Sequence, residues 1–107
     1  MNNHRNVYIS GPITGIDNYK ENFHAASKLI ASQGYIPIDP CCLPHDHDES
    51  YSSYMKEDIR ALLDCDYIYM LPGWKKSDGA MCEKSIAVAC KIPEYYPLSV
   101  VYLDSFK

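Results

Sequence analysis

Glu83 is the residue of this chain best placed to do chemistry. It stands in the run Asp64 to Cys90, DCDYIYMLPGWKKSDGAMCEKSIAVAC. There a short aromatic and apolar strand, Tyr67 to Leu71, is closed by Pro72-Gly73. A polar loop then leads into a helix over about Ala80 to Cys90, with Met81, Ile86, Ala87 and Cys90 roughly on one side. This order puts Glu83 in a first helical turn just beyond the carboxyl end of a strand, where open α/β sheets bind ligands. A carboxylate held there is a candidate nucleophile, and the helix N-terminus favours its ionised form. The plain alternative is a helix-start glutamate of the kind capping and the macrodipole favour with no function. The loop itself offers an N-cap at Ser77 or Asp78, and Gly79 lets backbone come close to a ligand. Amides around Ser77 to Ala80, with Lys75 or Lys76, suit an anion such as a phosphate. Trp74 suits stacking on a base or, equally, anchoring the loop.

The elements that must position these groups follow in order. Val7 to Ser10 reads as a strand running straight into Gly11-Pro12-Ile13-Thr14-Gly15, the first βα turn of a nucleotide-type fold. This loop is neither a GxGxxG nor a P-loop, and the plain reading is a turn needing positive φ at Gly11 or Gly15. Asn22 to Gln33 carries Phe23, Ala26, Leu29 and Ile30 at helical spacing, with Gly34 as the terminating glycine. Tyr35 to Ile38 is a second strand, and Pro37 places it at an edge. Strand, helix and strand in about thirty residues make a βαβ unit and a parallel sheet. Asp39 to Tyr54 is a loop of the length that lids and binding loops have. Its Cys41, Cys42, His45 and His47 match no common zinc spacing, so a solvated loop is the expectation and no metal is assigned. Tyr54 to Asp64 is a helix with Met55, Ile59, Leu62 and Leu63 as its stripe and Ser52 or Ser53 as cap. Asp58, in its middle, reads most simply as solvated and paired with Lys56 or Arg60, and Asp64 and Asp66 as partners for backbone amides. Beyond the Glu83 helix, Ile92 to Tyr96 and Val100 to Leu103 are rival strands.

With 107 residues the chain is read as one domain spanning 1–107. A net charge of −4 argues against nucleic-acid polymers and anionic membranes as partners. No apolar run approaches the ~20 residues of a membrane span, and a strand so near the start argues against a signal peptide, so a cytoplasmic location is expected. Five cysteines without a CxxC argue against a disulfide framework, and Cys65, Cys82 and Cys90 read as small buried hydrophobes. Ten tyrosines against two phenylalanines predict several hydroxyls along a wet cleft or an interface. A homo-oligomer, dimer or larger, is expected on that ground.

YISGPITG at Tyr8 to Gly15, MKEDIRALLDCDYIYMLPGW at Met55 to Trp74, and Ser77-x-Gly79-Ala80-x-x-Glu83 occur in an order that resembles the nucleoside 2-deoxyribosyltransferase-like group. The closest likeness is to its small branch, the domain of unknown function 4406, over about residues 7–96. The resemblance implies a flavodoxin-like or Rossmann-like α/β/α sandwich with a parallel sheet of four or five strands. It also implies N-glycosidic chemistry on 2′-deoxynucleosides or their 5′-monophosphates, with no cofactor and a small-molecule nucleoside or nucleotide as partner. By position, Glu83 corresponds to the nucleophile and Asp58 to the aspartate that holds or protonates the base. Ser77 corresponds to the phosphate-binding serine and Tyr8 to the first-strand aromatic, with Gly11 keeping the loop close to the sugar. Asp66, Gly79 and Trp74 complete the expected substrate contacts. Breaking a C1′–N bond builds positive charge on the sugar and negative charge on the base. A carboxylate below C1′ stabilises the first, and an acid of raised pKa answers the second. Two other readings stand beside this: a nucleotide-binding module without chemistry, and a metal-binding interaction protein using the Cys41 to His47 loop.

Overall fold

The structure, a computed structural model, describes residues 4–43 and 50–97. β1 (Asn6–Ser10) is the middle strand of a three-stranded parallel sheet of order β2-β1-β3, with β2 at Ile36–Ile38 and β3 at Tyr67–Met70. Every residue from Val7 to Ser10 is buried, as a strand covered on both faces requires. Its alternation sorts the core into two layers. Val7 and Ile9 pack with Phe23, Ala26 and Ile30 of α1 (Tyr19–Ser32). Tyr8, with Ile68 and Met70 of β3, packs on the other face against Leu62 of α2 (Tyr51–Leu63) and Ala80 and Ala87 of α3 (Asp78–Ala89).

The local signals behave largely as expected. Gly34, at φ +85°, ends α1 in a Schellman motif, with its amide bonded to the Ala31 carbonyl and the Tyr35 amide to that of Ile30. Pro37 lies in the edge strand β2. The chain leaves β1 for β2 on one side and returns to β3 on the other, so its topological switch point lies at the carboxyl end of β1. That order is compatible with a Rossmann-like fold.

Several expectations need correction. The sheet has three strands among the described residues, not four or five. Ile92 to Tyr96 lies beside β3, but only as one parallel bridge, Ile68 with Glu94, fastened by the Lys84–Glu94 ion pair at 2.6 Å. A Pro93 with no N–H to give and the two edge bonds of Ile68 leave little ladder to extend. Val100 to Leu103 falls outside the described residues. α2 begins three residues earlier than expected, capped by Ser50, whose Oγ accepts from the Ser53 amide. Leu29, Leu63, Met81, Cys82 and Cys90 are exposed rather than core, and only Cys65 of the three cysteines is buried. Four tyrosines, Tyr35, Tyr67, Tyr69 and Tyr95, form edge-on ring contacts on the α1 side of the sheet. No helix among the described residues is long and apolar enough to cross a membrane.

Candidate functional site

Glu83 is buried, at 5 % exposure, and both its carboxylate oxygens accept hydrogen bonds. The Tyr8 hydroxyl donates to Oε2 at 2.9 Å and the Ser10 hydroxyl to Oε1 at 2.6 Å. The two donors are neighbours on one face of β1, because side chains two apart on a strand point the same way. α3 starts at Asp78, with Ser77 as N-cap accepting from the Ala80 amide at 3.2 Å. Glu83 therefore stands in the second turn, and the first-turn acid is Asp78. This corrects the expectation that the helix N-terminus keeps Glu83 ionised, since that field fades beyond the first turn. Burial dominates instead and pushes the Glu83 carboxyl up to about 7; the Ser10 and Tyr8 hydrogen bonds pull it down, and the Asp58 charge adds to the rise. Burial, then the charges of Glu83 and Asp58, push the Tyr8 phenol far above its ordinary range, so it acts as a neutral donor.

Glu83, Tyr8 and Asp58 line an open cleft of about 1300 Å³ at the carboxyl ends of β1 and β3. The Gly11–Ile16 loop contributes Gly11, Pro12, Ile13, Thr14 and Ile16, and the start of α3 contributes Ser77, Asp78 and Gly79. Asp58 is 8 % exposed, which corrects the solvated reading; the surface pair on that helix is Arg60 with Glu57 at 3.3 Å. α2 adds Tyr51, Tyr54 and Met55 to the wall, Tyr51 through its earlier start, and Tyr19 and Lys20 stand on the α1 side. Tyr51 is 62 % exposed at the rim, next to Gly79. A Cβ on Gly79 would stand 3.4 Å from the Tyr51 hydroxyl and from Met55 Sδ. Lys76, not Lys75, reaches the cleft; Lys75 lies over the Trp74 ring at 5.7 Å.

Of the residues expected in the site, Glu83, Asp58, Tyr8, Gly11, Ser77 and Gly79 come together here. Gly11 does so for a packing reason, since a Cβ on it would stand 2.7 Å from that of Leu71. The positive φ of this loop belongs to Gly15. Asp66 and Trp74 are not brought to the cleft. Asp66 opens β3 at the opposite end of the sheet, where its Oδ2 accepts from the Asn6 amide at 2.9 Å and its Oδ1 lies 3.4 Å from His4 Nδ1. This matches the reading of Asp66 as a partner for backbone amides. Trp74, in a short 3-10 turn at Trp74–Lys76, packs against the α2–α3 core layer. Ser10, Tyr51 and Tyr54 were not anticipated. Strand alternation from Tyr8 pointed at Ser10, whereas nothing local marks the two tyrosines.

Cys41 lines the cleft, its thiol pushed up to about 12 by burial and by Asp39, so it is no thiolate at neutral pH. His45 and His47 lie outside the described residues. Among the described residues no three His, Cys, Asp or Glu side chains are grouped to hold a metal ion. No curated protein matches the chain. Residues 5–96 match the family described as a domain of unknown function, DUF4406, and the chain belongs to that family.

Proposed function

We propose that the protein cleaves or transfers the N-glycosidic bond of 2′-deoxynucleosides or their 5′-monophosphates, with Glu83 as nucleophile and Asp58 as acid. One observation carries this reading: a buried carboxylate, oriented by two hydroxyls, opens onto a cleft at the sheet's switch point with a second buried carboxyl beside it. The reactive state has one proton on the Glu83–Asp58 pair, carried by Asp58: an Oε lone pair of ionised Glu83 then bonds C1′ as the C1′–N pair passes to the base, which takes that proton. Water or a second base then attacks C1′, Asp58 receives the proton, and Glu83 is released. Tyr51 and Tyr54 at the rim supply faces for the base. Lys76 and the α3 N-terminus support the phosphate end of a monophosphate. We take the protein to act in the cytoplasm and as a homo-oligomer; the exposed Met81 and Val88 on α3 support association, and light scattering tests it.

A second reading, a nucleotide-binding module without chemistry, is favoured by the engagement of both Glu83 oxygens and by its raised carboxyl. Chromatography of free bases after incubation with a panel of deoxynucleosides and their monophosphates separates the two. Base release by the wild type and none by Glu83→Ala is the expected result. No release, together with a nucleotide-dependent rise in Tm, supports the module instead.

A further inference from the structure

The cleft is larger than the reaction written above requires. Its volume of about 1300 Å³ exceeds the roughly 300–1,000 Å³ of an ordinary small-molecule site. A second cavity of about 330 Å³ adjoins it on the α1 face of the sheet, between Ala25, Ala26 and Leu29 of α1 and Tyr69 and Leu71 at the carboxyl end of β3. Pro12, Asn22 and Pro72 line both spaces. The turns after β1 and β3 meet there, where a Cβ on Gly73 would lie 3.7 Å from Pro12 Cγ. The two turns form a ridge at the switch point, with Glu83 and Asp58 on the α2–α3 side and the smaller cavity on the α1 side. Each side has a lysine on the cleft wall: Lys76 just ahead of α3, and Lys20 in the first turn of α1.

We propose that the site takes a dinucleotide, two nucleosides joined 5′ to 5′ through a pyrophosphate, laid across the switch point. The inference rests on the glycosidic reading, which sets C1′ of one nucleoside over Glu83, and extends its substrate beyond mononucleotides. The pyrophosphate crosses the ridge between Lys76 and Lys20, and the second base enters the smaller cavity. Doubly wound sheets bind dinucleotides across this crevice, with the pyrophosphate resting on the helix that opens directly after the first strand. Here residues 11–18 separate β1 from α1, so the lysines supply the charge instead. Charge also favours the joined form. Asp78 lines the cleft at the start of α3, where it repels a terminal phosphate carrying close to two charges, whereas each phosphorus of a pyrophosphate diester carries one. The smaller cavity suits a base. Its alanine, leucine and proline walls give apolar contact, and Tyr69 gives a ring. The Asn22 amide, whose Oδ1 accepts from Asn18 at 3.5 Å, has N–H groups to offer a base edge. The glycosidic step is the one written above: C1′ bonds Glu83 as the C1′–N pair passes to the first base, which takes the Asp58 proton.

The test is calorimetry on Glu83→Gln, which leaves its ligand uncleaved, with three ligands that differ by one part each. They are 2′-deoxyadenosine 5′-monophosphate, the 5′-diphosphate, and the 5′,5′-pyrophosphate of two 2′-deoxyadenosines. The dinucleotide is expected to bind about 5- to 100-fold tighter than the diphosphate, the gain from one further base. Ala25→Trp fills the smaller cavity from an exposed helix position, and Leu29→Glu, at 36 % exposure, sets a charge in it. Each is expected to abolish that gain and to leave monophosphate affinity unchanged. Lys20→Ala is expected to weaken the diphosphate and the dinucleotide about 2- to 5-fold and to spare the monophosphate. A dinucleotide no tighter than the diphosphate overturns the proposal. So does a gain that survives both cavity variants, an unchanged dinucleotide affinity in Lys20→Ala, or no binding of any of the three. Base release from the deoxynucleoside panel by a protein without the dinucleotide gain overturns this inference and leaves the glycosidic reading standing. A gain lost in the cavity variants, with no base released by the wild type from the panel or the dinucleotide, supports the dinucleotide site and overturns the glycosidic reading alone.

Discussion

Glu83→Gln is expected to make the protein more stable at neutral and alkaline pH and to leave it nearly unchanged in acid. The carboxyl rises from an ordinary 4.5 to about 7 in the fold, chiefly through burial. At about 1.36 kcal/mol per pH unit, that rise is worth on the order of 3 kcal/mol. The sign follows from proton uptake. Between 4.5 and about 7 the folded protein keeps the Glu83 proton while the unfolded chain has released it, so wild-type stability falls as pH rises through that window. Above about 7 the loss is complete and constant; below 4.5 both states are protonated and none of it remains. Glutamine has no proton to release. It can also keep both partners, accepting from one hydroxyl and donating its amide N–H to the other, because hydroxyls accept as well as donate. Chemical denaturation of both proteins across about pH 4 to 8 should therefore give a stability difference, glutamine minus wild type, that grows by up to about 3 kcal/mol. A difference that stays flat across that range, or wild type gaining on the variant as pH rises, would refute the buried, raised carboxyl.

Two further outcomes test the cleft and its packing. Tyr51→Ala is expected to weaken binding of a deoxynucleoside by about 5- to 100-fold in calorimetry, the loss of one stacking face, while Tyr51→Phe keeps wild-type affinity; equal affinity of the alanine variant removes Tyr51 from the base contact. Gly11→Ala sets a Cβ 2.7 Å from Leu71 Cβ, an atom too close to its own backbone to swing aside. It should cost about 1–3 kcal/mol and lower Tm by about 5–15 °C, and an unchanged Tm would show that the loop moves freely.

Much of this protein was legible in its residues because the signals are local. A buried β1, the Gly34 helix end, the edge-strand Pro37 and a carboxylate following β3 depend on neighbours within a few positions. The parallel sheet follows from them, since the helix α1 between β1 and β2 is the long crossover that carries the chain back to the starting end of the sheet. The position of each helix start was less secure, and it carried consequences. Capping at Ser50 starts α2 at Tyr51, which adds Tyr51 to the cleft wall ahead of Tyr54 and Asp58. Capping at Ser77 starts α3 at Asp78 and moves Glu83 from the first turn to the second. The helix end then matters less to Glu83 than the layer of side chains over it, and desolvation sets its protonation.

What the chain by itself determined, then, is the order of elements and the presence of a carboxylate at the ligand-binding end of the sheet. Its partners were left to the tertiary structure. Tyr8 and Ser10 lie 75 and 73 residues from Glu83, so strand alternation puts the two hydroxyls on one face but does not say which acid they meet. Asp66 and Trp74 show the converse. Each has a residue type suited to a site, yet the fold spends one on the β1 amide at the far end of the sheet and the other on the core. Hydrogen bonds and burial are properties of distances through space, and only packing β1 against α2 and α3 sets those distances.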